Sequence, residues 1–69
     1  KEREQEIIKF ANENEINLDV LQEVIDEVEY SGIFPNELIG NAINAPFIKK
    51  IKLIDNVKIF IKNLLRKYM

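Results

Sequence analysis

The residue types that most often carry out chemistry are scarce in this chain of 69 residues. It contains no Cys and no His, which excludes disulfides, thiol catalysis and the commonest metal ligand and general base. Ser31, the only hydroxyl group besides two tyrosines, has no His to activate it. Glu23 and Glu27 share a helix face without a third group, and Gly32 and Gly40 form no phosphate-binding loop. We therefore expect no active site and no cofactor in this chain.

One weak metal-binding pattern is present. Asn12, Asn14 and Glu23 fall on the first, third and twelfth positions of an EF-hand loop. The first position should be Asp, the fifth is Ile16, and the sixth is Asn17 where a glycine is needed for the sharp turn. We therefore expect no calcium or other metal site.

The charges are divided unevenly along the chain. Residues 1–44 carry 3 basic and 11 acidic side chains, a net charge of −8, whereas residues 45–69 carry 7 basic and 1 acidic, a net charge of +6. Two interpretations are open, since the halves could pair internally or the basic half could form a contact surface.

The apolar spacing predicts helices throughout and no strand. The first helix covers residues 2–13 without a clear N-terminal cap. The second follows Asn17, a natural N-cap, with Ile16 before the cap placed to pack on Leu21. It stops at Gly32, because a glycine readily takes the left-handed conformation that ends a helix.

Two prolines mark the remaining helices. Pro35 opens a short third helix, which ends before Pro46, and Pro46 opens a long fourth helix of about 22 residues. We predict an all-α four-helix bundle, a single domain over residues 1–69, with the last helix as its central element. The predicted core consists of Leu21, Val24, Ile25, Val28, Leu38, Ile54, Val57, Ile61 and Leu64. On the last helix, the apolar stripe is flanked by Phe47, Ile51, Leu53, Phe60 and Leu65.

A helix-turn-helix around Gly32 is a possible DNA-binding arrangement. Its recognition helix would run from Pro35 to Asn44, which contains Glu37 and no Lys or Arg. Because a groove is lined with phosphates, an acidic recognition helix is a poor candidate. A turn between two packed helices is the favoured interpretation.

The outward face of the last helix is the main candidate for function. It combines basic side chains with two apolar ones that point the same way, since Ile48 and Ile59 are 11 residues apart. This layout favours docking on an acidic, partly apolar surface. Nucleic-acid contact, an ordinary solvated face, packing against the acidic half and, less favoured, a membrane surface remain alternatives. The candidate partner-contact residues are Ile48, Lys49, Lys52, Ile59, Lys62, Arg66 and Lys67.

The order of these features resembles a known family. Its signs are the segments Phe10-Ala11-Asn12-Glu13-Asn14, Ile16-Asn17-Leu18, Tyr30-Ser31-Gly32, Phe34-Pro35 and Leu64-Leu65-Arg66-Lys67-Tyr68. Together they resemble the C-terminal helical domain of the restriction (R, motor) subunit of type I restriction-modification enzymes, over nearly the whole chain.

The resemblance implies a parent protein that is an ATP-dependent DNA translocase and endonuclease. The chain contains neither a Walker-type phosphate loop nor a nuclease cluster, so no catalytic residue is carried over. It implies instead a non-catalytic module whose partners are the methyltransferase core subunits of the same complex. DNA contact through the last helix is the alternative.

The chain begins at Lys1, so we expect it to be the C-terminal fragment of a longer protein. It shows no signal-peptide pattern and no run of about 18 uncharged apolar residues. We expect a cytoplasmic protein.

Overall fold

A computed structural model describes residues 1–68, which form four helices and no strand. The helices are α1 (Glu2–Glu13), α2 (Leu18–Ser31), α3 (Asn36–Ala42) and α4 (Phe47–Tyr68). The prediction of an all-α bundle is confirmed. The bundle measures 33 × 24 × 18 Å, and the 22 residues of α4 account for its longest dimension at about 1.5 Å per residue. None of the four helices is long and apolar enough to cross a membrane.

The two ends of α2 form as predicted. The Asn17 side chain accepts a hydrogen bond from the Val20 backbone N–H at 3.1 Å, which satisfies one of the free N–H groups of the first turn. At the other end Gly32 has φ 75°, and its N–H donates to the Val28 carbonyl. Any other residue type except Asn would be strained in this left-handed conformation.

The prolines lie one position earlier than predicted. Pro35 and Pro46 each precede the first helical residue, and their carbonyls accept from the N–H groups of Ile39 and Lys50 at 2.9 and 2.8 Å. A proline serves well there, because it needs no N–H donor and its carbonyl begins the helical hydrogen bonds.

A short backbone bridge joins the two inner loops. Glu15 takes a left-handed conformation with φ 54°, and Ile16 then lies antiparallel to Ile43. The Asn17 N–H donates to the Ala42 carbonyl at 2.7 Å, and the Asn44 N–H donates to the Glu15 carbonyl at 3.2 Å. Both isoleucines of the bridge are buried.

The core confirms most of the predicted residues and corrects two. Leu38 and Ile54 are only partly buried, whereas their neighbours Ile39 and Leu53 are fully enclosed in the core. In each case adjacent apolar residues lie about 100° apart around the helix, so the direction of the neighbouring helices decides which is enclosed. The full core is Ile7, Ala11, Ile16, Leu21, Val24, Ile25, Val28, Ile39, Ala42, Ile43, Leu53, Val57, Ile61 and Leu64.

The prediction that α4 is the central element is wrong. The backbone of α2 approaches both α1 and α3 closely, whereas the close backbone approach of α4 is to α3. Large side chains fill the wider space between α4 and α1, where the Phe10 and Phe60 rings stack with centroids 4.1 Å apart. The helix whose backbone lies close to two neighbouring helices at once, apart from the short α3, is therefore α2.

Candidate docking surface on the last helix

The two outward isoleucines of α4 are exposed, Ile48 to 76% and Ile59 to 56%. Eleven residues at 100° each bring them within about 20° of one direction, and about 16 Å apart along the helix. Lys52 and Asp55 occupy the same face between them. The two side chains are therefore separate apolar points on a polar ridge and do not form one continuous patch.

A continuous apolar patch lies at the start of α4. Phe47 and Ile51, which flank the apolar stripe of α4, are exposed to 75% and 50%. Ile51 is four residues from Phe47 and three from Ile48, which makes the three side chains neighbours on the helix surface. We call Phe47, Ile48 and Ile51 the proximal patch. It is exposed because the first buried residue of α4 is Leu53, about 9 Å along the helix from Phe47.

Four of the predicted basic contact residues face solvent. Lys49, Lys52, Lys62 and Arg66 are all exposed. Lys62 also lies over the Phe34 ring, with its Nζ atom 5.8 Å from the ring centroid, which is within the range of a cation–π contact. The turn between α2 and α3 therefore borders this face of α4.

The fifth basic residue, Lys67, has a partner within the chain. Its Nζ atom lies 3.3 Å from Oε1 of Glu6 in α1, and the Tyr68 hydroxyl donates a hydrogen bond to the same carboxylate. The hydrogen bond from Tyr68, aided by Lys67, lowers the pKa of Glu6. The same contacts with Glu6 raise the pKa of Tyr68 and of Lys67. These residues join the end of α4 to α1.

Internal pairing accounts for little of the basic charge on α4. Among residues 1–68, Lys67 is the only basic residue of α4 in a salt bridge, and the other salt bridge joins Arg3 of α1 to Glu29 of α2. Within residues 1–68, the Lys67–Glu6 contact is therefore the only salt bridge between the acidic half and the basic helix. The other basic side chains of α4 therefore remain available to contact a partner.

Two asparagines within the weak metal-binding pattern, Asn14 and Asn17, cap helices. The Asn14 amide donates to the Phe10 carbonyl at 2.9 Å at the end of α1, Asn17 caps α2, and Glu23 is an exposed residue within α2. Within residues 1–68, no three Asp or Glu side chains converge as metal ligands would.

Two shallow clefts lie away from α4. One, of about 340 Å³ between α1 and α2, has the half-exposed side chains of Ile8 and Leu18 in its lining. The other, of about 470 Å³ between α2 and α3, is lined by Glu23, Asp26 and Tyr30 among others.

No family model, curated protein or solved structure matches the chain. The candidate surface therefore has to be judged on its own geometry. The sequence analysis included Ile48 and Ile59 among the candidate contact residues of α4. It did not include the exposed residues Phe47, Ile51 and Asp55. Asp55 could have been found, because it lies seven residues after Ile48 and so on the same face.

Proposed function

We propose that this chain is a non-catalytic docking domain that binds a partner protein through the outward face of α4. The observation that carries the proposal is the exposure of Ile48 and Ile59 beside basic side chains without internal ion-pair partners in residues 1–68. Exposed apolar groups favour contact with another apolar surface, and the surrounding charges orient it. The partner surface is acidic and partly apolar.

The resemblance to the C-terminal domain of type I restriction motor subunits suggests the partner. We propose that the domain belongs to such a cytoplasmic subunit and docks on the methyltransferase core of the same complex. The ATP-driven translocation and DNA cleavage of that enzyme class would then reside in other domains of the parent. The four-helix order and the Tyr30-Ser31-Gly32 helix stop are the features that support this assignment.

The test replaces Ile59 with Asp. Because Ile59 is exposed, Ile59→Asp should leave the thermal unfolding of the 69-residue chain nearly unchanged. It should weaken co-purification of the full motor subunit with its methyltransferase core, since a carboxylate would face an acidic partner. Ile33→Asp is the matched control, because Ile33 is an equally solvent-facing isoleucine (70% exposed) in the turn between α2 and α3.

Three outcomes have distinct meanings. Unfolding of the Ile59→Asp chain would show that Ile59 is part of the core. Folding and assembly that both stay normal would show that this face of α4 is not the docking site. Equal loss of assembly with Ile33→Asp would show that the effect is not specific to Ile59.

Nucleic-acid binding is the second candidate function, favoured by the exposed Lys49, Lys52, Lys62 and Arg66 on α4. If α4 contacts phosphates of duplex DNA, the logarithm of affinity should fall with the logarithm of salt concentration with a slope of about −0.9 for each phosphate neutralised. A protein-docking domain should show no such DNA affinity by itself. Binding to duplex DNA across a salt series distinguishes the two functions.

A further inference from the structure

The proximal patch (Phe47, Ile48 and Ile51) differs from the scattered apolar residues common on protein surfaces. Its three large side chains are exposed to between 50% and 76%, and they are neighbours on two consecutive turns. Single exposed apolar residues need no explanation, but a contiguous group of this kind marks an interaction surface. Ile59, three turns away across Lys52 and Asp55, is not part of it.

The charges around the patch destabilise α4 when the chain is alone. The first turn of α4 contains no acidic residue, and Lys49 and Lys50 lie close to the N-terminus. The unpaired N–H groups there give this end a partial positive charge, so cations cost stability and carboxylates add it. An acidic partner would relieve this repulsion, because it would supply the negative charge that the chain itself lacks at this position.

The apolar residues and the lysines lie on opposite sides of Ile48 around the helix axis. Taking Ile48 as the origin, Phe47 and Ile51 lie on one side at about 100° and 60°, whereas Lys52 and Lys49 lie on the other at about 40° and 100°. An amphipathic helix laid along these turns would place an apolar stripe on the patch and a row of carboxylates on the lysines. The contact would be a packing of helix against helix, in which side chains three and four residues apart on α4 form one ridge.

We infer that the first two turns of α4 are the anchor of the docking surface and that they receive an acidic amphipathic helix of the partner protein. The inference rests on the proposed docking function and replaces Ile59 with the proximal patch as its centre. A membrane is a poorer match, since only two turns of α4 carry outward apolar residues in succession while Leu53, Val57 and Ile61 of the same helix are buried. The net charge of −2 also opposes approach to an anionic bilayer.

The test uses the 69-residue chain and designed peptides of about five helical turns. One peptide is amphipathic with Leu on one face and Glu on the other, a second has Lys in place of Glu, and a third is a scramble of the first. Binding is measured by fluorescence anisotropy. The Glu peptide should bind best, and Ile48→Ser should weaken its binding by about tenfold or more, which corresponds to about 1.4 kcal/mol. Ile33→Ser, the matched exposed control, should bind as the unchanged chain does.

Charge reversal tests the partner's chemistry separately. The double variant Lys49→Glu/Lys52→Glu should lose preference for the Glu peptide and gain preference for the Lys peptide. Equal binding of the Glu peptide and its scramble would overturn the inference. So would loss of binding with Ile33→Ser, self-association of the chain that Ile48→Ser abolishes, or binding confined to phosphatidylserine vesicles or duplex DNA.

The inference and the proposed function can fail independently. If Ile59→Asp weakens assembly of the full subunit while Ile48→Ser does not, docking through α4 stands and the proximal patch is not its anchor. If neither substitution affects assembly, docking through α4 itself is wrong. If Ile48→Ser has the larger effect on assembly, the proximal patch is the anchor.

Discussion

The first six residues of α4 and the rest of that helix are alike in composition but differ in what surrounds them. From Leu53 onwards every turn has a residue in the core, and the helix is joined to α1 by the Phe10–Phe60 stack and by Glu6. In the first six residues Phe47, Ile48 and Ile51 face solvent. The same apolar residue types therefore stabilise the fold in one part of the helix and remain available for a partner in the other.

This contrast shows that an amphipathic pattern can continue beyond the core that it serves. The extra turns cannot be explained by stability, because exposed Phe and Ile side chains gain little from folding and Lys near a helix N-terminus is unfavourable. Substitutions that cost much stability should therefore fall in the later part of α4, and replacing the exposed apolar residues among the first six should affect binding much more than stability.

The largest expected effect is that of Leu64→Ala. Leu64 is 3% exposed, so the substitution removes buried methyl groups and leaves a cavity, at a cost of about 2–5 kcal/mol in the free energy of unfolding. Ile48→Ala, on the same helix, should change it by less than about 0.5 kcal/mol. Urea denaturation of both variants measures the difference. Similar costs at the two positions would mean that the first turns of α4 are part of the folded core after all.

A smaller contrast is expected between two phenylalanines of α4. Phe60 is partly buried and stacks on Phe10 with the rings 4° from parallel, so Phe60→Ala loses apolar burial and the ring–ring contact, about 2–3 kcal/mol in all. Phe47→Ala removes an equal side chain that is 75% exposed and should cost close to nothing. The shift in urea midpoint is the measurement. A large cost for Phe47→Ala would contradict the solvent-facing position of the proximal patch.

Charge reversal at the two ends of α4 should have small and opposite effects. Lys49→Glu places a carboxylate in the first turn and should stabilise the chain by about 0.3–1 kcal/mol, whereas Arg66→Glu near the C-terminus should destabilise it by a similar amount. Both effects should shrink in high salt, because exposed charges are screened. Thermal unfolding at low and high salt provides the measurement, and destabilisation by Lys49→Glu would show that Lys49 serves the fold.

The smallest effect concerns the contacts between Glu6, Lys67 and Tyr68 that hold the end of α4. Because the folded chain lowers the pKa of Glu6, these contacts stabilise it above the ordinary carboxyl pKa, and this stability is lost as the pH falls through the lowered value. The raised pKa values of Tyr68 and Lys67 work in the opposite direction, so stability is also lost as the pH rises through them. The Glu6 and Lys67 side chains are exposed to solvent, so this contribution to stability is modest.

Glu6→Gln provides the comparison for that pH dependence. The melting temperature of the unchanged chain should exceed that of Glu6→Gln near neutral pH, and the gap should close as the pH is lowered from about 6 to about 3, across the ordinary Glu range. A gap that stays constant over this range would show that the Glu6 carboxylate does not contribute through its charge.

Local sequence determined much of the fold. The ends of α2 follow from Asn17 and Gly32, because a capping side chain and a left-handed glycine act within one helical turn. The spacing of apolar residues correctly assigned Val24 and Ile61 to the core, since helical periodicity defines a face without reference to the rest of the chain. The outward direction of Ile48 and Ile59 followed from the same rule.

Tertiary packing decided what periodicity leaves open. A helical pattern shows which side of α4 is apolar, but it does not show how far along the helix other elements cover that side. The exposure of Phe47 and Ile51 was therefore not predictable from the pattern. The burial of Ile16 depends on a backbone bridge to Ile43, and Lys67 meets Glu6 across 61 residues of sequence. Neither contact leaves a local trace in the sequence, because each exists only once distant segments have been brought together by the core.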